Sequence, residues 1–116
     1  MRLISAIVLA ALSLSVTDGM ATAQPNGIPV YPVERWCTKV SESAGRSEVI
    51  YGGCMQQEQE AYDALKEAWG DVPNKTRMWC DQVAHSAGSG SYVILKGCID
   101  QEAQARKDNS TRQFKR

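Results

Sequence analysis

Four cysteines, Cys37, Cys54, Cys80 and Cys98, are the residues of this 116-residue chain with the clearest chemistry. None of them belongs to a C-x-x-C pair, the usual arrangement of thiols that exchange easily in redox catalysts. An even number of cysteines in a short exported chain is typical of a disulfide framework. Structural disulfides are therefore predicted in preference to redox catalysis.

The single histidine, His85, offers little basis for a metal site or a catalytic base. A zinc site needs three or four suitable ligands, and nothing marks a serine as a nucleophile beside His85. The segment Gly88-Ser89-Gly90-Ser91 lacks the lysine and the preceding strand of a phosphate-binding loop. We predict an exposed histidine, no metal, no cofactor, no catalytic residues and no enzymatic activity.

Glu58 and Glu102 occupy equivalent positions in two similar stretches of sequence and have two interpretations. One is an acid–base pair, which needs a deep cleft that a chain of this size is poorly able to build. The other is a pair of helix caps, with Glu58 accepting from N–H groups near Arg35 and Trp36. Glu102 would do the same near Met78 and Trp79. The cap interpretation is preferred.

Residues 1–23 have the pattern of a secretory signal peptide. Arg2 precedes an apolar run from Leu3 to Val16, and Ala21-Thr22-Ala23 is a small-x-small cleavage site. A fourteen-residue helix is about 21 Å long, short of the roughly 30 Å core of a bilayer. We predict cleavage before Gln24, a periplasmic or extracellular location, and no transmembrane segment afterwards.

The composition beyond the signal narrows the class of protein. Thirteen Lys and Arg balance thirteen Asp and Glu in the whole chain, which argues against a nucleic-acid binder with a broad basic surface. Only 14 of the 93 residues after position 23 are Leu, Ile, Val or Phe. So small an aliphatic share indicates a fold that depends on covalent support.

The rest of the chain contains two related units. Trp36-Cys37-Thr38-Lys39-Val40 aligns with Trp79-Cys80-Asp81-Gln82-Val83 at an offset of 43, and Ser43-Ala44-Gly45 aligns with Ser86-Ala87-Gly88. Past the glycine the offset is 44, and the identical residues are Ser47/Ser91, Val49/Val93, Ile50/Ile94, Gly53/Gly97, Cys54/Cys98, Gln57/Gln101, Glu58/Glu102 and Ala61/Ala105. Fourteen identities over the 26 positions 36–61 indicate a duplication.

Each unit is predicted to form a helical hairpin. Gly45 can end the first helix, and Ser47 is a suitable N-cap for the second. Because both cysteines of a unit lie seven residues from the turn, they finish level in an antiparallel hairpin. The spacing favours Cys37–Cys54 and Cys80–Cys98 bridges, each worth about 3 kcal/mol by the chain-entropy estimate.

These elements predict an all-α protein of two tandem disulfide-stapled hairpins with four helices, a flexible N-terminal linker and a basic C-terminal tail. The predicted boundaries are linker 24–33, first hairpin 34–70, second hairpin 76–108 and tail 109–116. The alternative is a short strand in each unit, because Val49-Ile50-Tyr51 and Val93-Ile94-Leu95 are β-prone. Gly53 and Gly97 would interrupt such strands, so helices are preferred.

Across residues 36–105 the chain resembles small exported bacterial proteins of unknown function. Their duplicated units read W-C-x2-V/A and then S-Y-x-I-L-x-G-C-x3-E. The second unit, Trp79 to Ala105, matches with Ser91-Tyr92-Val93-Ile94-Leu95, whereas the first departs at Glu48 and Tyr51. The resemblance implies compartment and fold and carries no activity.

Two features bear on partners. Trp36 and Trp79 either pack into the core or form paired anchors for a protein partner. The basic tail, with Arg112, Lys115 and Arg116, is either solvated or makes a weak contact with an anionic surface. Asn74 and Asn109 begin glycosylation sequons, which matter only in a eukaryotic host.

The leading functional hypothesis is an exported protein-binding or structural module. An envelope adaptor whose tail contacts anionic lipid or polysaccharide is the alternative. A small hydrolase or metal chaperone is a distant third.

Overall fold

The computed structural model describes residues 27–116, so the predicted signal peptide and its cleavage site lie outside the described residues. The helices are α1 (Val33–Glu42), α2 (Glu48–Ala68), α3 (Asn74–His85) and α4 (Tyr92–Asn109), and a 3₁₀ turn at Trp69–Asp71 follows α2. No strand occurs within the described part of the chain. The all-α prediction is confirmed, and both β-prone segments lie in helices.

The first hairpin is built as its sequence pattern predicts. The Ser47 hydroxyl accepts a hydrogen bond from the Ile50 N–H (3.3 Å) and caps α2. Gly45 and Arg46 turn the chain with φ angles of 71° and 60°. The Cys37–Cys54 disulfide joins α1 to α2, with Cα atoms 5.6 Å apart.

The second hairpin repeats this construction. The Ser91 hydroxyl accepts from the Ile94 N–H (3.3 Å), and the Cys80–Cys98 disulfide joins α3 to α4 with Cα atoms 5.5 Å apart. Its turn contains Gly90, with φ of 97°, where a Cβ atom would lie 2.6 Å from the Tyr31 ring. Glycine is therefore required at this position both by its backbone angle and by the space available.

The four described helices lie in the order α1–α2–α4–α3, because among them α2 and α4 are the only pair from different hairpins that packs together. The hydrophobic core lies among α2, α4 and α3, together with the N-terminal segment and the connection between the hairpins. Its buried members are Ile28, Tyr31, Ala61, Leu65, Trp69, Val72, Cys80, Ala84, Tyr92, Leu95 and Ile99. Helix α1 contributes no buried residue to this cluster and is held by α2 and by its disulfide.

The described part of the predicted linker, residues 27–32, is packed against the core, so the prediction of a flexible linker at 24–33 is wrong for this stretch. Ile28 is fully buried and Tyr31 is 5% exposed. The Tyr31 N–H donates to the Tyr92 hydroxyl (3.0 Å), which in turn donates to the Pro29 carbonyl (2.8 Å). This segment is packed and not flexible because the helices contain few aliphatic residues, so the small core needs apolar residues from outside them.

The connection between the hairpins is also part of the core. Trp69 is 3% exposed, and the Arg77 guanidinium lies over its ring (5.0 Å) and donates to its carbonyl (2.5 Å). This contact fixes the start of α3 against the end of α2. At the other terminus α4 ends at Asn109, and residues 110–116 form an exposed tail.

Candidate functional site

The junction of the two hairpins holds a buried carboxylate. Glu58 of α2 is only 2% exposed. Ser91 Oγ donates to Oε1 (2.5 Å), while the N–H groups of Tyr92 (2.6 Å) and Val93 (3.4 Å) donate to Oε2. A buried carboxylate is tolerated only with such partners, and the first N–H groups of a helix have no partner inside it. Glu58 therefore caps α4 and joins the two hairpins.

The predicted target of Glu58 is therefore wrong, although its type of role, a helix cap, is the one observed. The expected target was the start of α1, near Arg35 and Trp36. That end of α1 follows Pro32, which has no N–H, and the Val33 N–H already donates to the Tyr31 carbonyl (2.9 Å). The first N–H groups of α4, in the neighbouring hairpin, lack partners inside their helix and donate to Glu58 instead.

Glu102 does not act as the predicted cap. It is exposed and makes no hydrogen bond or ion pair within residues 27–116. Its position in the second hairpin matches that of Glu58 in the first, but within residues 27–116 no helix start donates to it. The carboxylate instead lines an open cavity of 480 Å³ together with Trp79 and Arg106.

An aromatic cluster surrounds the buried carboxylate. The Tyr92 ring lies 4.6 Å from Tyr31 and 4.9 Å from Tyr62, measured between ring centroids. Burial raises the pKa of Tyr92, and burial followed by the hydrogen bond to Asp81 raises the pKa of Tyr31. Both phenols therefore stay protonated near neutral pH and act as hydrogen-bond donors. This arrangement is suited to holding the hairpins together.

His85 is exposed, as predicted, and lies beside this cluster. Its ring meets the edge of Tyr31 at 5.1 Å, and its Nε2 atom lies 3.5 Å from Asp81 Oδ1. The same Asp81 oxygen accepts from the Tyr31 hydroxyl at 2.6 Å. Asp81 thus holds the N-terminal segment to α3. No group of three or more histidine, cysteine or acidic residues in the described chain could hold a metal ion.

An apolar groove runs over the outer side of the junction. It has a volume of 340 Å³ and is lined by Trp36 and Val40 of α1, the start of α2, and the start of α4. Three of its aliphatic side chains are exposed to solvent: Val49 by 83%, Ile50 by 40% and Val93 by 41%. These three side chains are grouped around one groove, and contiguous apolar surface is a known mark of binding sites.

The two tryptophans predicted as core residues or partner anchors lie in different surroundings. Trp36 is partly buried and forms one side of the groove, whereas Trp79 is 52% exposed and lines the cavity at Glu102. The buried tryptophan of this fold is Trp69. Neither Trp36 nor Trp79 is therefore a buried core residue. Their role as anchors for a partner stays a prediction.

The sequence interpretation missed Tyr31 and Ile28 as core residues and Tyr92 as the centre of the aromatic cluster. One available signal was the segment Ile28-Pro29-Val30-Tyr31, whose apolar content is unusual for a linker. Tail residues Arg112, Lys115 and Arg116 lie in the exposed segment, so their contact with an anionic surface stays a prediction.

Comparison with family models, with curated proteins and with solved structures finds no match to this chain. Within the described residues, no helix has the length and apolar character needed to cross a bilayer.

Proposed function

We propose that this protein is an exported recognition module that binds an apolar segment of a partner protein in the groove beside Trp36. The observation that carries the proposal is the exposure of Val49, Ile50 and Val93 around one groove at the hairpin junction. The elements that form the groove are fixed by the Cys37–Cys54 bridge and by the Glu58 contact with α4. A rigid apolar groove binds with little loss of conformational entropy.

Export is the second part of the proposal. It is supported by the signal-peptide pattern of residues 1–23 and by the pairing of all four cysteines, since disulfides persist mainly in oxidising compartments. A partner would accordingly be met outside the cytosol.

Processing provides the test of export. Mass spectrometry of the protein recovered from the exported fraction should show a chain that begins at Gln24 and carries two disulfides. A mature protein that retains Met1, or that is recovered only with reduced thiols, would contradict the export proposal.

Partner binding is tested by replacing one groove residue. We expect Ile50→Asp to reduce partner capture from the exported fraction by at least about tenfold, because a charge in an apolar contact must lose its hydration. The matched control is Met78→Asp, at a position 68% exposed and outside the groove. Both variants should keep the helical circular dichroism of the parent, and equal capture by both would refute the proposal.

A further inference from the structure

The contact at Glu58 gives the first hairpin a seat, defined here as Glu58, Ala61 and Tyr62 of α2. The seat is occupied by the start of α4 through Ser91, Tyr92 and Val93. Their hydroxyl and N–H groups donate to Glu58, and the Tyr92 ring meets Tyr62 at 4.9 Å. Ala61 is buried beneath this contact. The first hairpin thus binds the start of α4, which is the second helix of the other hairpin.

The second hairpin carries an equivalent surface that receives no element from residues 27–116. At the offset of 44 residues the seat corresponds to Glu102, Ala105 and Arg106 of α4, and at the offset of 43 Trp79 corresponds to Trp36. These residues line the 480 Å³ cavity together with Lys75, Thr76 and Asn109. Glu102, Ala105 and Arg106 are all exposed. The open seat therefore preserves the glutamate and the alanine that the occupied seat uses.

The first hairpin carries the matching edge, defined as the start of α2, and the described part of the chain does not cover it. Ser47, Glu48 and Val49 at the start of α2 correspond to Ser91, Tyr92 and Val93 at the start of α4. Both serines cap their helices through the same bond, at 3.3 Å in each case. Val49 is 83% exposed, whereas Tyr92 is 5% exposed. One molecule thus presents a free edge at one end and an open seat at the other.

One seat residue and one edge residue differ between the two hairpins, and in the occupied seat the residues at these two positions contact each other. In the occupied seat the paired side chains are Tyr62 and Tyr92, both aromatic. In the open seat their counterparts are Arg106 on the seat and Glu48 on the edge, which carry opposite charges. Lys75 lines the same cavity and adds a second positive charge. An aromatic pair suited to a permanent contact is replaced by a charged pair suited to a reversible one.

We propose that the open seat binds the free edge of a second copy of this chain. Glu102 of one molecule accepts from the Ser47 hydroxyl and the first N–H groups of α2 of the other, and Arg106 pairs with Glu48. Because the two surfaces differ, the contact is head-to-tail and each added copy leaves one seat and one edge open. This proposal goes beyond the groove: the edge shares Val49 with it, but all residues of the open seat lie outside it.

Charge reversal tests the proposal in the purified, oxidised protein. We expect sedimentation equilibrium to show association between about 0.1 and 1 mM at low salt, weakening as salt screens the charged pair. Arg106→Glu and Glu48→Lys should each weaken the dissociation constant about tenfold, since an attraction becomes a repulsion. The double variant Arg106→Glu/Glu48→Lys should recover most of the loss. Arg112→Glu, in the exposed tail, is the matched control.

Three results would overturn the proposal. They are a monomer at 1 mM and low salt, association unaffected by Arg106→Glu, and a double variant as weak as either single variant. Arg106 lies outside the apolar groove, so Arg106→Glu should leave partner capture at wild-type levels. Loss of self-association therefore leaves the proposed function intact, and loss of partner capture in Ile50→Asp leaves the seat intact.

Discussion

Replacing Glu58 by alanine should lower the free energy of unfolding by about 3 kcal/mol, because bonds to a buried charged acceptor are lost and the start of α4 is left unpartnered. The carboxylate accepts from the Ser91 hydroxyl and the Tyr92 N–H inside the junction. For a domain of this size the loss corresponds to a fall in Tm of more than about 10 °C. Thermal unfolding followed by circular dichroism measures it.

The matched control for this variant is Glu102→Ala. It removes the same side chain at the equivalent helix position, but there the carboxylate is exposed and unbonded within the described chain. At micromolar concentration, well below the range in which we expect self-association, the change in stability should stay within about 0.5 kcal/mol. Equal losses at the two sites would show that the glutamates contribute through helix propensity and not through the junction.

A double-mutant cycle assigns the loss to the contact itself. Ser91→Ala removes both the donor to Glu58 and the cap of α4, whereas Ser47→Ala removes only the cap of α2. The Glu58 and Ser91 changes should therefore be non-additive by about 1–2 kcal/mol. The Glu58 and Ser47 changes should simply add, because these residues do not touch.

The features that could be predicted from sequence are those set by neighbouring residues. Gly45 and Ser47 turn the chain and start α2, and the same logic applies at Gly90 and Ser91. Counting seven residues from each turn also predicted both disulfides, because helix rise alone fixes the level of each cysteine. Local geometry therefore determined each hairpin.

The packing of one hairpin on the other could not be read in this way. Tyr31 meets Tyr92 across 61 residues of sequence, and Glu58 meets Tyr92 across 34. Glu58 and Glu102 are the same residue in the same local pattern, yet one is buried and the other exposed. Their environments differ because the first unit receives the start of α4, whereas the second receives no helix start from the described residues. A pattern within one unit does not express such a contact between units.

The disulfides should differ in what they stabilise. Each closes a loop of similar length, with sequence separations of 17 and 18, so the chain-entropy estimate is about 3 kcal/mol for both. Cys37 and Cys80 are both fully buried, but only Cys80 belongs to the core cluster, among residues from several elements. The Cys37–Cys54 bridge instead holds α1, which packs against α2 alone among the described helices.

Removing the Cys37–Cys54 bridge with Cys37→Ala/Cys54→Ala should therefore loosen one helix. Amide hydrogen exchange should lose about a hundredfold of protection in α1, while α3, α4 and Trp69 keep theirs. Removing the other bridge with Cys80→Ala/Cys98→Ala should lower protection throughout, because it also removes core contacts and the whole domain then opens as one unit. Uniform loss of protection in both variants would contradict this division, since it would mean that α1 unfolds only with the core.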